Sequence, residues 1–281
     1  MEIGNKNLAD AKSHKRYRYV GSSYAASRHC HGSKLRIGPR ARQAHRRRRG
    51  RHIDEIWAIA RRLERLEALR RTSSTPVRPF CLDLTDPSSF EVIEGALAET
   101  PGAEVALLVN NAGFGIFGSV ASQRTKDGGA MARLLMQAPV ELIYRTLPYL
   151  RAGSRIINIS SVAAFIPQPK LAVYSAAKRF VLDLSRSLDA ELGSADIHVT
   201  AVCPKFMKTE FLDKPGDDVA ARAMTAIGFE SAENVAKAAL RASCAGKDLC
   251  IPSLDMRAYY AVSRVLPYKA ALAAERVLGI L

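Results

Sequence analysis

The sequence predicts a doubly wound α/β fold over residues 53–255, a parallel sheet with helices on both faces. Three observations predict it. Strand-like and helix-like segments alternate in chain order from residue 53, the pattern of repeated βαβ units. One strand segment, EVALLVN (104–110), is a nearly continuous apolar run, as expected of a strand covered on both faces, and SRIINIS (154–160) reads as another buried strand. The charge is also divided. Of the net +15, residues 1–52 hold 15 Lys/Arg against Glu2 and Asp10, leaving 27 basic and 25 acidic residues in an almost neutral remainder.

The elements follow in order. IDEIWAIA (53–60) reads as a strand, and RRLERLEALRR (61–71) has leucines at 63, 66 and 69, a helical spacing. VRPFCLDL (77–84) is a second strand. Asp86 and Pro87 open a helix through PSSFEVIEGALAE, proline being suited to a first turn. After the 104–110 strand, one helix is expected over about 129–150. The 154–160 strand leads to a long helix, 171–192, that stops at Gly193. IHVTAVC (197–203), a helix over 231–242 capped by Ser231, and a short strand DLCIPS (248–253) complete the domain. Residues 256–281 form a C-terminal helical extension, which Pro267 is expected to divide.

Residues 1–52 read differently. Large apolar residues are few, every histidine except His198 lies there, and Arg46–Arg49 is a run of charge. Such a stretch buries too little surface to offset its ordering entropy, so disorder is expected, although RYRYV (16–20) alternates weakly as a strand does. A basic arm of this kind binds phosphates without sequence preference, and no recognition motif accompanies it. Specific nucleic-acid binding is therefore a remote reading. No apolar stretch reaches the length of a membrane span, and no apolar run follows the basic N-terminus as in a secretory signal. Five cysteines without a CxxC pair support neither a disulfide framework nor a metal site, and a cytoplasmic location fits.

In such sheets ligands bind beyond the carboxyl ends of the strands, which directs attention to Arg61, Asp83, Asn110, Ser161 and Pro204. Tyr174 and Lys178 are four apart on one helix and share a face. A phenol is a poor base near neutral pH, and a neighbouring ammonium is expected to lower its pKa so that it exchanges a proton with a substrate oxygen. The Ser161 hydroxyl is placed to hold that oxygen.

NNAG (110–113), NISS (158–161), Tyr174-x-x-x-Lys178 and PKFMKT (204–209) together resemble the short-chain dehydrogenase/reductase family in order and spacing, over roughly residues 53–255. The resemblance implies a Rossmann-like fold and hydride transfer between a nicotinamide cofactor and a carbonyl or alcohol. It implies Ser161, Tyr174 and Lys178 as catalytic residues, with Tyr174 the acid/base. It places Asp83 and Leu84 at the adenine, Asn110, Ala112 and Gly113 along the adenosine side, Tyr174 and Lys178 at the nicotinamide ribose, and Pro204 and Thr209 over the nicotinamide. It also implies pairing of subunits through the two long helices, as a homodimer or homotetramer. Arg61 and Arg62, where an acidic residue would select a ribose 2′-hydroxyl, suit a 2′-phosphate, so NADP(H) is expected over NAD(H). Substrate walls from Ala163–Lys170 and Phe211–Phe229, including Phe165, Ile166, Phe211 and Leu212, suggest an apolar carbonyl or alcohol, whether a steroid, a lipid or a small aliphatic.

Three departures stand out. The alignment puts Leu135 at the place of a common catalytic asparagine, unless the register is slipped there or the subfamily lacks that residue, and Lys205 stands in place of the glycine after Pro204, either restricting that loop or adding a charge near the cofactor. The first strand and its TGxxxGxG turn, whose backbone N–H groups hold a pyrophosphate, are missing or replaced. HGSKLRIG (31–38) can be encoded by DNA whose next reading frame gives Thr-Gly-Ala-Ser-Ser-Gly-Leu, so residues 1–52 read as largely frameshifted. As written, the chain then has a second reading, an impaired enzyme with defective cofactor binding.

Overall fold

The computed structural model describes residues 16–21, 53–207 and 227–277. Its centre is a seven-stranded sheet in the order β3-β2-β1-β4-β5-β6-β9. The strands are β1 (Arg16–Gly21), β2 (Glu55–Ala60), β3 (Val77–Cys81), β4 (Ala103–Asn110), β5 (Arg155–Ile159), β6 (His198–Val202) and β9 (Leu249–Cys250). Every neighbouring pair is parallel. This is the doubly wound Rossmann-like arrangement, with the strand order reversing between β1 and β4. A separate pair, β7 (Phe206–Met207) and β8 (Phe229–Glu230), follows β6.

The central position is filled, not missing. Arg16–Gly21, containing RYRYV, pairs with β2 on one side and β4 on the other, with Val20 opposite Trp57 and Leu108. An empty slot would leave two facing strand edges buried with unpaired N–H and C=O groups, so a segment of β-favouring residues is drawn in. The HGSKLRIG segment lies outside the described residues, so nothing structural bears on the turn expected there.

Alternation along the strands sorts two cores. Trp57, Ile59, Phe80, Leu108 and Ile156 face helices α2 (Ser88–Ala98), α4 (Ala138–Thr146) and the inner side of α5 (Ala172–Leu192). Ile56, Ala58, Val109, Ile157 and Val202 face α1 (Leu63–Thr72) and α6 (Ala232–Cys244). Trp57 is fully buried, stacks at 5.0 Å against Phe80, and carries the Arg78 guanidinium over its ring.

Three local differences from the sequence reading have physical causes. VRPFCLDL leaves the sheet at Cys81 because Asp83 forms a turn, its carboxylate accepting from the Thr85 N–H and hydroxyl. The helix expected over 129–150 is two, α3 (Thr125–Ala132) and α4, joined by a π turn at Arg133–Gln137, with Pro139 in the first turn of α4. Ser231 stands at the N-cap of α6, yet its hydroxyl makes no capping hydrogen bond. Pro267 separates α7 (Leu254–Ser263) from α8 (Tyr268–Val277). No helix among the described residues is long and apolar enough to cross a membrane.

Candidate active site

The site lies at the carboxyl ends of β4, β5 and β6, beside the reversal in strand order. Ser161 follows β5 by two residues. Its extended backbone starts a 3-10 turn, Val162–Ala164, and its hydroxyl accepts from the Ala163 N–H at 3.2 Å. The Val162 N–H donates to the Pro204 carbonyl at 3.1 Å, which sets the loop after β6 against Ser161. Helix α5 then brings Tyr174 and Lys178 to the same place. The Tyr174 hydroxyl is hydrogen bonded to Ser161, and the Lys178 ammonium sits 5.7 Å from the centre of the Tyr174 ring. Hydroxyl, phenol and ammonium therefore converge as the spacing suggested.

Their electrostatics depart from the simple expectation. Burial pushes the Tyr174 phenol up to about 12, and the Ser161 hydrogen bond only partly offsets this. Burial pushes Lys178 down to about 8. Desolvation dominates, the expected lowering of the phenol by the ammonium does not emerge, and Tyr174 stays protonated through neutral pH. Part of the Tyr174 ring remains exposed while Lys178 is buried, donating to the Ile159 carbonyl at 2.7 Å.

Around this centre stands a buried polar chain. The Asn110 amide donates to Asn158 Oδ1 at 2.8 Å, the Asn158 amide donates to Ser185 Oγ at 2.9 Å, and Ser185 donates to the Val181 carbonyl. It links β4, β5 and α5, the three elements that deliver NNAG, Ser161 and the Tyr–Lys pair. NISS was legible as a strand end, but no sequence signal marked Asn158 as a cross-link. The thiol of Cys203, fully buried and pushed up to about 12 by burial, lies behind Ser160 and Lys178 as a neutral group.

Toward the cofactor side, Arg61 is exposed and pairs with Asp83 at 3.8 Å. Burial alone would raise the Asp83 carboxyl, but hydrogen bonds from Thr85 and the Arg61 guanidinium outweigh it and hold it below its ordinary value. Arg62 is exposed beside Arg61. Leu84 packs inward, buried in the core with Trp57 and Phe80. Asn110 is buried, Ala112 is partly exposed and Gly113 is exposed. A dinucleotide suits these groups. The buried Oδ1 of Asn110 has no hydrogen-bond partner among the described residues. Gly113 leaves bare backbone beside the Lys178 ammonium, and a basic group stands at the tip of β2.

Pro204 is buried, and Thr209, Phe211 and Leu212 lie outside the described residues. Lys205 does not point a free charge at the site. Its ammonium binds Asp255 at 2.8 Å and its N–H donates to Glu230 at 3.0 Å, fastening the loop to α7 and β8. Phe165 and Ile166 are buried, with Phe165 packed on Tyr259 and Tyr260 of α7. They tie the loop after β5 to the C-terminal helices. No group of three or more metal-ligating side chains occurs among the described residues.

Comparison with known proteins agrees with this geometry. The profile of the short chain dehydrogenase family matches residues 53–220. The chain is 34% identical over 177 residues to a sulfoacetaldehyde reductase of Chromohalobacter salexigens, covering 59% of this chain and 69% of that protein. It is 32% identical over 168 residues to a serine 3-dehydrogenase of Agrobacterium fabrum, covering 57% and 66%. A short-chain dehydrogenase from Sphingobium yanoikuyae, solved in complex with NADPH, superposes with a TM-score of 0.67 at 26% identity over 92% of this chain and 95% of that one. An arrangement of this kind on a sheet of this order defines an oxidoreductase of the Rossmann-like class. The chain belongs to the short-chain dehydrogenase family.

Proposed function

We propose that the chain is an NADP(H)-dependent oxidoreductase that interconverts a carbonyl and an alcohol, with Tyr174 as the acid/base. The observation that carries this reading is the hydrogen bond between Tyr174 and Ser161 with Lys178 beneath the same ring. When bound, the nicotinamide supplies the hydride. Ser161 and Tyr174 hold the substrate oxygen from two sides, and Tyr174 gives its proton to that oxygen as charge develops on it. Because burial keeps the phenol protonated, the free chain is poised for carbonyl reduction. Lys178 fixes the phenol's position and holds the ribose. The substrate is an apolar carbonyl or alcohol of the steroid, lipid or small aliphatic class, the enzyme is cytoplasmic, and subunits pair through α4 and α5, which expose Tyr144 and Phe180.

Arg61, at the tip of β2 and paired only at 3.8 Å with Asp83 from the loop after β3, selects the 2′-phosphate. Arg61→Ala is expected to raise the KM for NADPH by about 10-fold or more while leaving that for NADH nearly unchanged, the loss of one or more charge-assisted hydrogen bonds. Steady-state kinetics with both cofactors check this. The whole reading is tested by incubating the purified chain with NADPH and a panel of aldehydes and ketones. Oxidation of NADPH at 340 nm with at least one carbonyl is expected; NADPH that neither binds nor is consumed with any of them overturns it.

A second reading rests on the sequence after β1. GSSYAASRHC lacks the second and third glycines of TGxxxGxG, and the family match begins only at residue 53. Under this reading the pyrophosphate cradle is displaced by a frameshift within residues 1–52, and cofactor binding is weak. Micromolar or tighter binding of NADPH, read by fluorescence, would exclude it. DNA across codons 20–55 with no open alternative frame would exclude its cause.

A further inference from the structure

The place of Leu135 gives the site a property that its catalytic residues do not reveal. From the position that a Cβ on Gly113 would occupy, Leu135 Cδ2 is 2.7 Å away and the Lys178 ammonium 3.7 Å. An isobutyl group and the buried cation thus both border the bare backbone of Gly113. Leu135 is 1% exposed and clusters with Met131 and Ala177, against which Phe114, Ile116, Val173 and Tyr174 pack. The π turn at Arg133–Gln137 sets this register. Each additional residue in an α-helix rotates the following face by about 100°. The wider turn absorbs that residue, so that Leu135 faces α5 while α4 keeps Ala138 and Leu142 on the central core.

We propose that Leu135 is a positioning residue that walls the Lys178 ammonium off from water on the α3–α4 side, so that the Tyr174–Lys178 pair exchanges protons through the cleft side alone. This rests on the reading of Tyr174 as the acid/base. The groups facing Lys178 are few. Tyr174 lies one turn back on α5, Cys203 follows β6, and Ser160 and Ser161 follow β5 as neutral hydroxyls. The Asn111 carbonyl lies beside Gly113, and the Ile159 carbonyl accepts the ammonium's hydrogen bond. Cys203, held protonated by burial, brings no charge there. Among the described residues, the Leu135 methyl group borders Gly113 on the α3–α4 side, and a methyl neither relays a proton nor hydrates a cation. The depressed pKa of Lys178, at about 8 through burial, accords with a dry wall. On the opposite side Ser161 and Tyr174 are both partly exposed.

Two variants of nearly equal volume separate polarity from packing: Leu135→Thr admits water and a hydroxyl, and Leu135→Val leaves the wall apolar. Lysine labelled with 15N and 13C in the free, full-length chain reports Lys178, assigned by its disappearance in Lys178→Met. Leu135→Thr is expected to raise the Lys178 midpoint by about one pH unit relative to Leu135→Val. Its ammonium protons are expected to exchange about 10-fold faster. Leu135→Met, which keeps both chain length and apolarity, is expected to titrate as the parent and serves if the shorter side chains unfold the protein; Leu135→Gln is then its polar counterpart. Identical titration and exchange in the polar and apolar members of a pair would overturn the proposal. The readout needs neither cofactor nor turnover. A shift in Lys178 with no NADPH oxidation by the parent would defeat the enzymatic reading and with it the proton-exchange role, leaving only the apolar wall beside the ammonium, so the two failures are told apart.

Discussion

Tyr174→Phe is expected to lower the rate of carbonyl reduction by about 10²- to 10⁴-fold, the range that a positioned general acid contributes. On the proposed reading the phenol supplies the proton that the substrate oxygen takes, and the Ser161 hydroxyl it binds has no comparable acidity to offer. The fold should tolerate the change. Tyr174 is partly exposed at the edge of the cluster formed by Met131, Leu135 and Ala177, so removing one oxygen leaves that packing in place. NADPH affinity should fall by much less than the rate, because a single phenol contact to the nicotinamide ribose is a small part of what holds the cofactor. Single-turnover rates alongside fluorescence titration with NADPH separate the two effects. A variant that keeps a tenth or more of the parental rate would show that Tyr174 is not the acid. Ser161→Ala gives the internal comparison. It leaves the acid but loses one hold on the oxygen, so a smaller reduction is expected, again read in single turnovers.

The contrast between Tyr174 and Lys178 shows where a sequence stops being informative about chemistry. Four-residue spacing on a helix places two side chains on one face whatever surrounds them, so their convergence was legible. Their proton affinities were not, because these depend on what covers the pair. The phenol is displaced upward by burial, not downward by the ammonium, since the cover includes Leu135, Ala177 and Cys203 from three separate parts of the chain. The sheet was legible for the converse reason. Runs such as EVALLVN and SRIINIS carry their own burial signal, and both appear within a residue of the expected limits as β4 and β5. The π turn left no mark on composition, and RYRYV gave only a weak one. Its place between β2 and β4 follows from what those strands require of a neighbour, which no local window contains. Lys205 left two readings open in the sequence, a restricted loop or an added charge beside the cofactor. Its partner, Asp255, lies 50 residues on, in a helix whose packing the sequence does not announce.

Asn158→Leu is expected to cost about 2–4 kcal/mol of folding stability, measured by chemical denaturation, although Asn158 touches no reacting atom. The side chain is fully buried. It accepts from the Asn110 amide and donates to Ser185, so an apolar replacement strands a buried donor on β4 and takes the donor away from a buried hydroxyl on α5. Ser185 retains its bond to Val181, which limits the loss on the helix side. The double variant Asn110→Leu/Asn158→Leu removes both amides of the β4–β5 pair, including the Asn110 Oδ1 that already lacks a partner among the described residues. Replacing both members of a buried pair by apolar groups is far less costly than removing one, so the double variant is expected to regain about 1 kcal/mol or more over Asn158→Leu alone. Additive losses in the two variants would mean that the amide pair is not coupled as its 2.8 Å bond indicates. The functional consequence differs from the stability one. Asn158 fixes the separation of the strand that ends in NNAG, the strand that ends at Ser161 and the helix that carries Tyr174 and Lys178. Catalysis depends on that separation to a fraction of an ångström. The double variant is therefore expected to fold better than the single one and still reduce carbonyls more slowly than the parent, since an apolar contact restores stability without restoring the direction that two hydrogen bonds impose.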